Sequence, residues 1–138
     1  MPDNTFNHFG DIANAIPDII SKVVRKVAFD VQSDAQSLAP RDTGFLANSI
    51  YVKTSKDSSY SQVGQPTSKD ASLLPEMETP PDDQTAYVAV GANYGIYLEY
   101  GTRFQPPQPY LTPAVEAGQT SLENAASEIE SMIEDAIG

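Results

Sequence analysis

From Ile16 onward apolar side chains recur at steps of three and four, at Ile16, Ile20, Val23, Val27, Val31, Ala35 and Leu38. Lys22, Arg25, Lys26, Gln32 and Gln36 fall largely off that stripe, which predicts an amphipathic helix. Pro17 is expected in its first turn, where a missing N–H matters least, with Asp18 complementing the positive helix end. Phe6 to Ala15 reads as a separate short helix anchored by Phe9 and Ile12. Pro40 disfavours helical dihedrals at Ala39 and stops the long helix there.

The period then shortens. Arg41-Asp42-Thr43-Gly44 predicts a sharp turn, because Asp42 can bond backbone two residues on and Gly44 tolerates a positive φ. Asn48 to Thr54 alternates as a strand, with Ile50 and Val52 on one face and Tyr51 on the other. Lys56-Asp57-Ser58-Ser59 reads as a hairpin loop into a second strand, Tyr60 to Val63, and Ala86 to Gly91 reads as a third. These fit an antiparallel sheet with one buried face.

Two connections stand out. Residues 65–84 hold four prolines and the isolated apolar trio Leu73, Leu74 and Met77. Twenty residues are long for a hairpin connection, so the segment is either a flexible surface insertion or an arm whose apolar trio docks on a neighbouring subunit. Gln105 to Pro109 is expected to be stiff and extended. Between them, Asn93 to Tyr100 reads as a helical turn stopped by Gly101, with Tyr94, Tyr97 and Leu98 on one face as a core or interface plug.

Thr112 and Pro113 suit the cap and first turn of a last helix, in which Val115, Gly118, Leu122, Ala125, Ile129, Ile133 and Ala136 form the stripe. Its other faces carry Glu116, Glu123, Glu128, Glu130, Glu134 and Asp135. The fold class is therefore α+β: a long amino-terminal helix and an acidic carboxy-terminal helix packed on a small antiparallel sheet of three or four strands.

With 138 residues, 40% apolar and 20% charged, the chain fits one globular domain spanning residues 1–138, the insertion at 65–84 included. Nineteen acids against eight bases give a net charge of −11, which repels phosphate and disfavours tight DNA binding. There is no Cys, hence no disulfide and no thiolate metal site. No run of eighteen apolar residues offers a membrane span.

Glu99 is the one acid embedded among aromatics, and no second acid, Ser–base pair or metal-ligand spacing accompanies it in sequence. It is expected to pair with Arg103 or Arg41, or to cap the Asp42-Thr43-Gly44 turn. His8, the only histidine, sits in a polar amino-terminal segment and is expected in solvent. No phosphate loop or calcium loop is present, and no cofactor is implied.

Two segments half a chain apart carry a resemblance: Ala39-Pro40-Arg41-Asp42-Thr43-Gly44-Phe45-Leu46, running on to Ser49-Ile50, and Tyr94-Gly95-Ile96-Tyr97-Leu98-Glu99-Tyr100-Gly101-Thr102. With the Pro-rich stretch that follows, their order and spacing resemble the head-tail joining, or tail-completion, family of long-tailed bacteriophages, over roughly Ile12 to Val115. The resemblance implies a non-enzymatic virion protein of the neck, assembled in the host cytoplasm. It makes Pro40, Asp42, Thr43, Gly44, Leu46, Tyr94, Tyr97, Glu99, Gly101 and Thr102 the structural motif. It also implies a homo-oligomer, with six copies matching tail symmetry, in contact with neck, connector and tail-tube or tail-terminator proteins. Genomic DNA would pass without tight binding. Glu123, Glu128 and Glu130 would then line the channel or dock basic partners. The rivals are a minor tail or tail-terminator protein at another axial level, and a carboxylate-dependent hydrolase.

Overall fold

The computed structural model describes residues 4–40 and 44–137, with side chains at 14–40 and 44–135. Arg41, Asp42 and Thr43, and the side chains of His8, Phe9, Ile12 and Ala136, lie outside the described residues. The elements are α1 (Asn4–Leu38), α2 (Phe45–Asn48), β1 (Ile50–Thr54), a 3₁₀ turn (Tyr60–Gln62), β2 (Ala86–Val90), α3 (Gly95–Tyr100) and α4 (Leu111–Ile137). The molecule is α+β, as expected, with a two-stranded sheet.

α1 is one helix rather than two and runs through Pro17, which sits in its interior. An interior proline removes one ladder bond and crowds the preceding turn, yet the helix continues on both sides of it. Val27, Val31 and Ala35 of the expected stripe are buried. Leu38 is 52% exposed, and Ala39, four residues after Ala35, closes the stripe in its place.

The sheet has two strands, not three or four: β1 pairs antiparallel with β2, Ile50 opposite Val90 and Thr54 opposite Ala86. The expected second strand starts and fails. Lys53 bridges Ser58, and the Ser59 amide reaches the Val52 carbonyl at 3.0 Å. The Ser59 hydroxyl then accepts the Val52 N–H at 3.0 Å, taking the donor that a continuing strand would need. Tyr60 to Gln62 coils into the 3₁₀ turn, and the Tyr60 ring meets Tyr51 edge-on, centroids 5.0 Å apart.

β1 is buried on both faces, against the expectation of one. Ile50 joins the core formed with α1, where Gln32 Nε2 donates to the Ile50 carbonyl at 3.0 Å. On the opposite face the 65–84 segment covers Tyr51, whose hydroxyl accepts the Met77 N–H at 2.9 Å. Lys53 Nζ holds the Met77 carbonyl at 2.7 Å and Glu76 at 3.0 Å. Leu73 bridges Ala92, and Asn93 fastens the segment through Ser72 and the Asp70 carbonyl.

α4 lies along α1, in the most extensive packing between any two elements. Ala114 and Gly118 face it, and a Cβ at Gly118 would collide with Val31. Val115 and Leu122, expected on the buried stripe, are 47% and 39% exposed; Ala114 is buried in place of Val115, while Gly118 keeps its expected place in the contact. The missing side chain at Gly118 lets the two helices approach closely at Val31.

Candidate assembly site

The two motif segments meet in space. Pro40 follows the last turn of α1, and Gly44 enters α2 with φ 76° and ψ −12°, the left-handed geometry that its place in the turn predicts. Phe45 and Leu46 are then buried, Phe45 beside the Tyr94 ring at 6.0 Å and Leu46 against the bare Cα of Gly95. Ser49, wholly buried, ties the segments by hydrogen bonds. Its hydroxyl donates to the Leu46 carbonyl at 2.7 Å and accepts the Ala92 N–H at 3.0 Å, while its own carbonyl accepts the Gly91 N–H at 2.8 Å.

Among the described residues Glu99 forms no ion pair with Arg103, and Arg41, the other expected partner, lies outside them. Glu99 Oε2 accepts the backbone N–H groups of Tyr110 and Leu111 at 2.9 and 3.0 Å, and Oε1 accepts that of Thr112 at 2.7 Å. These are the amides that open α4, and Pro113 has none to offer, so a buried carboxylate from α3 satisfies the start of the helix. Burial alone would raise the Glu99 carboxyl, but hydrogen bonds from Thr112, Leu111 and Tyr110 outweigh it and hold the group below its ordinary range. The expected cap at Thr112 is thus replaced by one from twelve residues before Leu111. Tyr110 completes the joint by donating to the Gly95 carbonyl at 3.0 Å; burial, then the Glu99 charge, pushes its phenol far up.

Of the aromatic face of α3, Tyr94 and Leu98 pack on the core, whereas Tyr97 is 59% exposed. Gly101, with φ 77°, ends the helix, and Thr102 closes a tight turn with Gln105 by reciprocal backbone bonds at 2.9 and 3.3 Å. Arg103 lies over the Phe104 ring at 4.6 Å. Ile96, Tyr97, Tyr100 and Phe104 form an exposed ridge, Phe104 being 84% exposed. Beside it an open groove of about 430 Å³ is lined by Leu74, Met77, Val88, Val90, Ile96 and Tyr100. Leu73 turns inward to the core, while Leu74 and Met77 remain exposed.

Glu123, Glu128 and Glu130 are all exposed on α4, far from the motif. None of the four ion pairs among the described residues involves α4. Sequence reasoning did not single out Ser49, Gly95 or Tyr110 as site residues. A lone serine inside an apolar run, and a tyrosine directly before a helix, were the available signals.

Among the described residues no group of three or more His, Asp or Glu side chains stands ready for a metal ion, and no helix is long and apolar enough to cross a membrane. Both oxygens of Glu99 are engaged by backbone amides, an arrangement that fixes structure rather than moving protons. No curated protein and no solved structure matches the chain. The HK97-gp10-like family, described as "Bacteriophage HK97-gp10, putative tail-component", matches residues 5–101. That span covers well over half of the chain, with the first motif segment and the second as far as Gly101, and the chain therefore belongs to the HK97-gp10-like family of bacteriophage tail components.

Proposed function

We propose that this protein is a tail-completion or head-tail joining subunit of the virion neck, acting as a ring of six copies around the DNA duct. The observation that carries the reading is the acidic surface of α4: six acids from Val115 onward, no base, and no ion pair among the described residues. Six copies at −11 each bring on the order of sixty negative charges to the ring, a surface that lets DNA slide without holding its phosphates. Family membership and the motif resemblance support a structural part of the virion. Leu74 and Met77, exposed beside the groove, supply apolar area for a neighbouring subunit.

Phage lacking this gene product are expected to accumulate filled heads and complete tails that fail to join. Cryo-EM of wild-type virions is expected to resolve an annulus of this protein at the neck. Tails of abnormal length, or density elsewhere along the tail, would overturn the neck assignment in favour of a terminator or minor tail protein.

A further inference from the structure

Between Asp83 and Glu116 the chain has only two charged groups, Glu99 and Arg103. Glu99 is buried in its cap, so Arg103 is the charge this stretch presents outward. It stacks on Phe104 and takes part in none of the ion pairs among the described residues. Ile96, Tyr97 and Tyr100, on the short helix α3 that ends just before it, are each more than half exposed. On a chain of net charge −11, α3 and the turn after it thus present exposed apolar and aromatic side chains and one outward charge, a cation. Exposed aromatics around an arginine are the usual anchors of a protein interface.

α4 offers the counterpart. At about 100° per residue, Glu116, Glu123 and Glu130, seven apart, share one outward stripe, with the exposed Val115 and Leu122 beside it. Glu128 lies about 140° round the helix from Glu123 and belongs to another face. The stripe lies away from the Ala114 and Gly118 side that packs on α1. Each surface supplies what the other lacks, a guanidinium and aromatic area against carboxylates and aliphatic side chains. Contacts between unlike faces of successive copies generate a closed ring when the rotation allows.

We infer that the Arg103 ridge of one copy seats on the Glu116–Glu123–Glu130 stripe of the next copy. The inference rests on the ring reading above and assigns its subunit interface. It assigns three of the six α4 acids counted above to the contact between copies, and leaves Glu128 and Asp135, seven apart on another flank of α4, to face the duct.

Because the chain has no cysteine, engineered thiols report single contacts. Phe104→Cys is combined in turn with Glu116→Cys, Glu123→Cys or Glu130→Cys in the full chain, assembled into particles and treated with a short bismaleimide. At least one pair is expected to give a ladder of covalent multimers, while Phe104→Cys alone and its pairing with Glu128→Cys stay monomeric. A dimer from Phe104→Cys alone would set two ridges together and overturn the inference. Crosslinks to a different virion protein would make that protein the occupant and overturn it equally. A neck annulus without a ladder from any pair sinks this interface and leaves the ring standing; single copies in the particle sink both. Arg103→Glu is expected to abolish joined particles, and adding Glu123→Arg with Glu130→Arg to restore them.

Discussion

Glu99 Oε1 accepts the backbone N–H of Thr112 at 2.7 Å, so a side chain of α3 caps the first turn of α4 across a proline-rich loop. The contact joins the last motif residues to a helix that the family match does not reach. Removing it strands three amides, at least one of them buried. Glu99→Ala is expected to cost about 2–3 kcal/mol and to fray the start of α4. Chemical denaturation and hydrogen exchange at residues 110–114 measure this, and unchanged exchange there would contradict the cap.

The same contact sets a pH dependence. In the unfolded chain Glu99 titrates near its ordinary value of 4.5, and in the fold it titrates lower. Its contribution is therefore full above 4.5 and is lost as pH falls through the lower, folded value. Glu76, lowered by hydrogen bonds from Ser58 and Lys53, acts in the same direction. Melting temperature against pH is expected to fall on the acid side, less steeply in Glu99→Gln; identical slopes would remove Glu99 from the account.

Gly44 is held in the left-handed region with open space around its Cα, the nearest atom to a Cβ being Asn48 Nδ2 at 3.7 Å. The penalty for a side chain is conformational, not steric. Gly44→Val is expected to destabilise by about 1–3 kcal/mol and Gly44→Asn by less. Equal melting temperatures for the two variants would mean that the backbone relaxes out of that region.

Gly118 sits where α4 crosses Val31. Alanine would favour the helix by roughly 1 kcal/mol in isolation, but its methyl has no room here. Gly118→Ala is expected to destabilise, and Val31→Ala in the same chain to recover part of the loss. Additive effects in this double-mutant cycle would show that the helices do not meet at this point.

Leu73 and Leu74 are neighbours with opposite roles, Leu73 packing on the core and Leu74 exposed beside the groove. Leu73→Ala is expected to cost about 2 kcal/mol and to speed proteolysis between residues 65 and 84, while Leu74→Ala stays within about 0.5 kcal/mol. Assembly supplies the other readout. If Leu74 meets a neighbouring subunit, Leu74→Ala lowers particle yield without changing the melting temperature of the free chain.

Local rules determined much of this protein. The 3.6-residue period fixed α1 and α4, the period of two fixed β1 and β2, and the need for a left-handed residue fixed the turn at Gly44. Each depends on side chains close in sequence, and each is legible in it. Partner choice was decided by the tertiary structure. Tyr60 to Val63 reads as a strand after a hairpin loop, but the Ser59 hydroxyl took the Val52 N–H, and the distant Ala86–Val90 became the partner of β1. The role of Glu99 was hidden for the same reason: the amides that need it lie eleven to thirteen residues on, and only the fold brings them to one carboxylate. Ser49 and Tyr110 likewise acquire meaning from groups 43 and 15 residues away in the chain, distances over which propensity carries no information.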